Sequence, residues 1–220
     1  MRKVLIGLMA TVTTLVVVAV GADFGGAIYA EYRWARSVRS ANGLGFDPWV
    51  GILGFPFSTQ AVNRRYKEVE IRAGGVDHPV VGKVSLEATM HSVDLSQTSW
   101  LAEPDAKLPI RRLERRIIID STSAGFDEKV SVSVDLSIVG EEQTTLVTTA
   151  TGVLTGAGTA DQEVPEQKRA AVLAAFSISI PGQKLPFGLK PTSEGARGSD
   201  LIIEGITTGV TVALSGFKQS

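Results

Sequence analysis

Val130-Ser131-Val132-Ser133-Val134-Asp135-Leu136-Ser137-Ile138 alternates an apolar side chain with a polar one from end to end. A period of two sends the Val, Leu and Ile side chains to one face of a strand and the Ser and Asp side chains to the other. A strand with one apolar and one wet face belongs to an antiparallel sheet covered on a single side. Working outward, Val84, Leu86, Ala88 and Met90 repeat the pattern against Ser85, Glu87 and Thr89. Its phase slips before Val93 and Leu95, which predicts a bulge. Further strands are expected at Val69–Ile71, Ile117–Ile119, Thr144–Leu154, Ile178–Ile180, Leu201–Ile203 and Val210–Leu214. Several runs exceed ten residues, and at about 3.3 Å per residue they reach beyond ~33 Å.

A long one-faced sheet needs a cover. Phe24 to Ala41 supplies one: Phe24, Ala27, Ile28, Trp34, Ala35, Val38 and Ala41 recur at helical spacing, with Arg33, Arg36 and Arg39 on the other side. Asn42-Gly43 is a helix stop. A short helix is expected after Pro56 and another over Pro165 to Ala175, where Pro165 and Glu166 give start chemistry. The Gly-rich run Gly152 to Gly158 and the Gly- and Pro-rich run Pro181 to Ser199 read as loops. The expected class is α+β, a long, strongly curved antiparallel sheet wrapped around a long helix.

With 220 residues, 44% hydrophobic and 20% charged, the chain fits one domain and a targeting segment. Arg2 and Lys3 precede an uncharged run from Val4 to Val20, and no charge appears before Asp23. Val20-Gly21-Ala22 suits signal cleavage, yet the run is nearly long enough to cross a bilayer. Residues 1–22 are therefore a signal peptide or an N-terminal membrane anchor, and 23–220 form a single domain acting outside the cytoplasm. The net charge is −1, too balanced for a nucleic-acid partner. The absence of Cys excludes disulfides, thiolate nucleophiles and a lipoprotein anchor. An exported domain of this kind must be stable from its core alone.

Catalytic constellations are sparse. His78 lies in the turn-like Gly74-Gly75-Val76-Asp77-His78-Pro79; His91 precedes Asp94 by three residues, the spacing of half a proton relay or of a plain strand irregularity. Glu103 with Asp105, Asp127 with Glu128, and Glu141 with Glu142 fall in expected turns. Gly152, Gly156 and Gly158 lack the Lys of a phosphate loop. Neither His has metal-ligand spacing, and no cofactor is expected.

Two features suggest a lipid instead. Gly54-Phe55-Pro56-Phe57-Ser58-Thr59-Gln60 holds two aromatic rings about a Pro, after the apolar Trp49, Val50, Ile52 and Leu53 and before Tyr66. The rings either fill the end of a core or line an apolar mouth. Cations lie near: Arg64, Arg65 and Lys67, then Arg111, Arg112, Arg115 and Arg116. The second group either meets anionic headgroups or protects an edge strand.

These residues also carry a resemblance. The Gly54–Gln60 element running on to Tyr66-Lys67-Glu68-Val69-Glu70-Ile71, the strand ending Ser92-Val93-Asp94-Leu95, and Leu185-Pro186-Phe187-Gly188-Leu189 followed by Val210-Thr211-Val212-Ala213-Leu214 are similar to the LmeA-like phospholipid-binding family of actinobacterial envelope proteins. The likeness spans roughly Arg33 to Leu214. It departs at Asn63-Arg64-Arg65, where a Gly is expected before the Tyr. The resemblance implies a tubular lipid-binding fold with an apolar groove, and phospholipid ligands of the phosphatidylinositol type. It also implies support of lipomannan and lipoarabinomannan maturation beside envelope glycosyltransferases, and no catalytic residues. Trp49, Leu53, Phe55, Phe57, Tyr66, Trp100 and Phe187 are the candidate lipid contacts. Arg64, Arg65, Arg111, Arg112, Arg115 and Arg116 are the headgroup candidates, with the membrane surface a further partner. An envelope interaction module without lipid cargo and a glycan- or lipid-modifying enzyme are the alternatives.

Overall fold

The computed structural model describes residues 2–78, 82–97, 99, 101, 103–104, 106–119, 132–139, 145–153, 165–177, 179–180, 193–197 and 200–218. Helix α1 (Arg2–Asn42) leads, followed by β1 (Trp49–Leu53), α2 (Phe57–Asn63), β2 (Arg65–His78), β3 (Gly82–Asp94) and β4 (Lys107–Ile119). Then come β5 (Val132–Val139), β6 (Thr145–Val153), α3 (Glu166–Phe176), β7 (Ser179–Ile180), β8 (Ser193–Arg197) and β9 (Asp200–Ala213). The order β1-β2-β3-β4-β9-β8 makes a six-stranded antiparallel sheet, and β5-β6-β7 a smaller one. The chain is α+β, as its periodicities predict.

Helix α1 is one continuous rod, about 60 Å long at 1.5 Å per residue. Its first half is exposed and apolar; its second half packs on the sheet through Ala30, Trp34, Ala35 and Val38. Phe24 and Ile28, expected in that buried stripe, are exposed instead. The helix stops where expected: Gly43 takes φ 60, and the Asn42 amide donates to the Val38 and Leu214 carbonyls at 2.8 Å each. Asn42 Oδ1 accepts from the Lys218 backbone N–H, so the C-terminal turn is tied to the same point.

The expected bulge near His91 is one part of a crease. Inward positions in β2 are Tyr66, then Val69, Ile71 and Ala73; in β3 Met90 and then Val93; in β4 Ile110 and then Leu113. In β9 the half-buried Thr207 and Val210 bracket the shift. In each strand two successive residues turn outward: Lys67-Glu68, His91-Ser92, Arg111-Arg112 and Thr208-Gly209. Glu68, His91, Arg112 and Thr208 are register partners across all four strands, so the shifts align. Ser92 and Gly209 carry φ 55 and 64, the local departure that such a shift requires.

Three expectations change. Gly74-Gly75 is no turn: the register shift between Ala73 and Val76, with Gly75 at φ 72, is a bulge inside β2, which runs on to His78. Leu201–Ile203 and Val210–Leu214 are one strand, β9, carried through Gly205 and Gly209. Part of the expected Pro181–Ser199 loop is the edge strand β8.

Candidate functional site

The Gly-Phe-Pro-Phe element is a clamp between α1, α2 and β2. Gly54 adopts φ 105, which favours glycine. Gln60, buried, donates from Nε2 to the Gly54 carbonyl at 2.7 Å and accepts the Lys67 N–H on Oε1 at 2.8 Å. The Phe55-Pro56 bond is cis. Asp23 accepts the N–H of Phe57 at 2.8 Å and of Ser58 at 2.6 Å, capping α2 from another helix. The Ser58 hydroxyl and then its N–H hold the Asp23 carboxyl below its ordinary pKa, with the Phe57 N–H adding to them and burial opposing.

The clamp separates the two rings. Phe57 is buried against Tyr66 at 6.3 Å between centroids, and Tyr66 meets Trp34 edge-on at 5.9 Å. Burial pushes the Tyr66 hydroxyl up to about 12. Phe55 is 59% exposed, with its ring 6.2 Å from that of Phe24. Of the other lipid-contact candidates, Leu53 is exposed, and Trp49 lies over Gly51 on the outer face with the Arg72 guanidinium 4.9 Å from its ring. Trp100 and Phe187 lie outside the described residues.

The Arg111–Arg116 group does not act as one cluster. Strand β4 lies inside the sheet, between β3 and β9, so the edge-protection reading does not hold. Arg112 pairs with Glu114 at 2.9 Å, and Arg116 bridges Glu87 at 3.3 Å and Glu204 at 2.6 Å, all on the outer face. Arg111 is exposed on the crease. Arg115 faces inward, in phase with Leu113 and Ile117, and is 2% exposed. Its register partners are Ala88 and Gly205, two small residues that leave width for a guanidinium. Burial pulls its pKa down to about 10, so it is charged at neutral pH. Strand parity was the signal that separates Arg115 from its neighbours, because i±2 positions share a face.

On the inner face beyond the crease, three rows cross the sheet: Val69-Met90-Leu113-Thr207, Ile71-Ala88-Arg115-Gly205 and Ala73-Leu86-Ile117. Arg115 is the one charged side chain in these rows. Arg64 is exposed in the left-handed conformation at φ 52, and Arg65 pairs with Asp94 at 3.1 Å. His91 therefore does not meet Asp94 as a relay. Its ring nitrogens sit 3.1 Å from Glu68 and 3.3 Å from Glu114. No metal-holding group of His and carboxylates occurs among the described residues.

Along α1, a cleft of about 510 Å³ runs beside Tyr29, Tyr32, Arg33, Arg36, Ser37, Ser40 and Pro104. Arg33 and Arg36 stack on Tyr29 and Tyr32 and donate to their hydroxyls.

A phospholipid-binding class fits an apolar inner face with Arg115 as the one cation in these rows, and a helix long and apolar enough to cross a membrane. The model of the LmeA-like phospholipid-binding family matches residues 21–206, and the chain belongs to that family. No curated protein and no solved structure matches it.

Proposed function

We propose that the chain is a non-catalytic phospholipid-binding protein of the cell envelope. Acyl chains lie along the inner face of the sheet beyond the crease, and the lipid phosphate meets Arg115. The observation that carries this reading is the inner row Ile71-Ala88-Arg115-Gly205, where a buried cation stands between two small residues among buried apolar side chains. Arg can bind a phosphate with two parallel hydrogen bonds, and a dry setting strengthens them. The lipid is of the phosphatidylinositol type, and its binding supports lipomannan and lipoarabinomannan elongation or maturation beside envelope glycosyltransferases. Family membership supports the lipid class; the inositol headgroup and the glycan role extend it.

The test is mass spectrometry of lipid co-purified with the full chain from lipid-containing cells. The expected result is stoichiometric phospholipid, enriched in phosphatidylinositol over the host membrane. Co-purified lipid that merely mirrors the membrane composition overturns the reading.

A further inference from the structure

We infer that a collar at the foot of the domain, Phe24, Ile28, Leu53, Phe55 and Val62, seats this protein on an anionic phospholipid bilayer, with residues 4–22 kept as the span that holds it there. The inference stands apart from what the inner face of the sheet binds.

The span sets the height of the collar. Residues 4–22 of α1 rise about 29 Å at 1.5 Å per residue, close to the ~30 Å hydrocarbon thickness of a bilayer. The helix continues unbroken into the domain, so Phe24 to Ile28 occupy the next ~6 Å, the depth of a headgroup layer. Phe24 and Ile28 are 58% and 65% exposed, although the same helix buries its next turns. Phe55 adds its ring beside Phe24. Val62, 82% exposed on α2, projects from an element whose first N–H groups are bonded to Asp23. That double hydrogen bond fixes α2 to the first residue past the span, so the collar cannot drift from the membrane.

Chemistry along the axis follows the order of a bilayer. The apolar span comes first, then the apolar collar, then Tyr29 and Tyr32, then Arg33 and Arg36 stacked on them. Aromatic rings favour the interfacial layer, and cations just above it favour anionic headgroups. Arg65 and Lys67, both exposed, flank the collar where α2 hands over to β2. Arg2 and Lys3 at the opposite end keep that end on the cytoplasmic side.

The chain has no Cys, so single labels report cleanly. Thr59→Cys and Asn63→Cys sit beside the collar, and Lys83→Cys sits at the far end of the sheet, about 40 Å along β2. Each labelled full chain is reconstituted into vesicles of mixed neutral and anionic phospholipid carrying spin-labelled headgroups or acyl chains. Labels at 59 and 63 are expected to be quenched several-fold more than the label at 83, most strongly by the headgroup probe. Adding Phe24→Ser, Phe55→Ser and Val62→Ser should lower the quenching at 59 and 63, and only in part because the span still holds α2 near the surface, while circular dichroism stays unchanged. Equal quenching at all three positions overturns the collar. An intact mass of the membrane-bound protein lacking residues 1–22 overturns the retained span. A Phe24→Ser, Phe55→Ser, Val62→Ser protein that keeps its quenching shows that these side chains do not seat it.

Discussion

Asp23 accepts the backbone N–H of Ser58 at 2.6 Å, joining the residue that ends the apolar run to the start of α2. A carboxylate at a helix N-terminus satisfies otherwise orphaned donors and interacts well with the helix dipole. Its folded pKa is lowered, as are those of Asp77, beside Lys83, and Asp94, bonded to Ser96 and Arg65. A lowered carboxylate pKa gives stability that is complete above the unfolded value, 3.8, and is lost as pH falls through the folded value. Thermal unfolding followed from neutral pH downward should show melting temperature falling only below about pH 4. Asp23→Asn should lower the neutral plateau and flatten that acid limb. An unchanged limb would show that the cap does not titrate with folding.

Phe55 and Phe57 are two residues apart and should behave oppositely. Phe57 packs on Tyr66 and approaches Gly26, where an added Cβ would lie 3.3 Å from its ring. Phe57→Ala should cost about 3–5 kcal/mol in denaturant unfolding, as large core truncations do. Phe55→Ala should stay within about 0.5 kcal/mol, since it removes an exposed side chain. Equal losses would show that the turn folds as one block.

Arg64 occupies the left-handed position that ends α2, with its N–H bonded to the Ala61 carbonyl and its own carbonyl accepting from Leu95. Glycine has no Cβ to strain in that conformation. Arg64→Gly is expected to stabilise the fold by about 1 kcal/mol. That corresponds to roughly 2–4 °C in melting temperature for a domain of this size. A lower melting temperature would mean that the Arg64 side chain contributes more than its backbone costs.

Much of this architecture was legible because it is written in local periodicity. The alternation of Val84 to Met90 and the slip before Val93 gave β3 and its shift; Asn42-Gly43 gave the end of α1. What was not legible depends on the rest of the molecule. Phe55 and Phe57 are chemically identical, and the packing of α1 and β2 around the turn decides which one is buried. The four Arg of 111–116 look like one patch in linear order, but β4 sends Arg115 inward and Arg112 and Arg116 outward. Gly205 and Gly209 interrupt the apolar pattern of β9, so a continuous strand reads as two. β8 offers Ser193-Glu194-Gly195-Ala196-Arg197, which has no apolar alternation and becomes a strand through pairing with β9.

Trp49 and Gly51 make a second backbone test. The indole lies over Gly51, where a Cβ would come within 2.5 Å of the ring, and the Arg72 guanidinium covers its other surroundings at 4.9 Å. Gly51→Ala must displace the indole and break the cation–π contact, which is worth about 0.5–1 kcal/mol at an exposed site. Tryptophan fluorescence should shift to the red as Trp49 moves into water, with unfolding free energy reduced modestly. An unshifted spectrum would show that the backbone of β1 yields instead of the ring.

Arg115 provides the sharpest test of the lipid reading. Arg115→Leu keeps the inner face apolar and removes its cation, whereas Arg115→Lys keeps the charge but not the planar fork. If the guanidinium holds the lipid phosphate, the Leu variant should lose anionic phospholipid selectively while retaining its far-UV spectrum. The Lys variant should keep part of it. With the pKa near 10, wild-type binding should be flat from acid-neutral pH to about pH 9 and weaken only above it. Selectivity unchanged in the Leu variant would remove Arg115 from the headgroup site, and with it the row Ile71-Ala88-Arg115-Gly205 as the place where the phosphate sits.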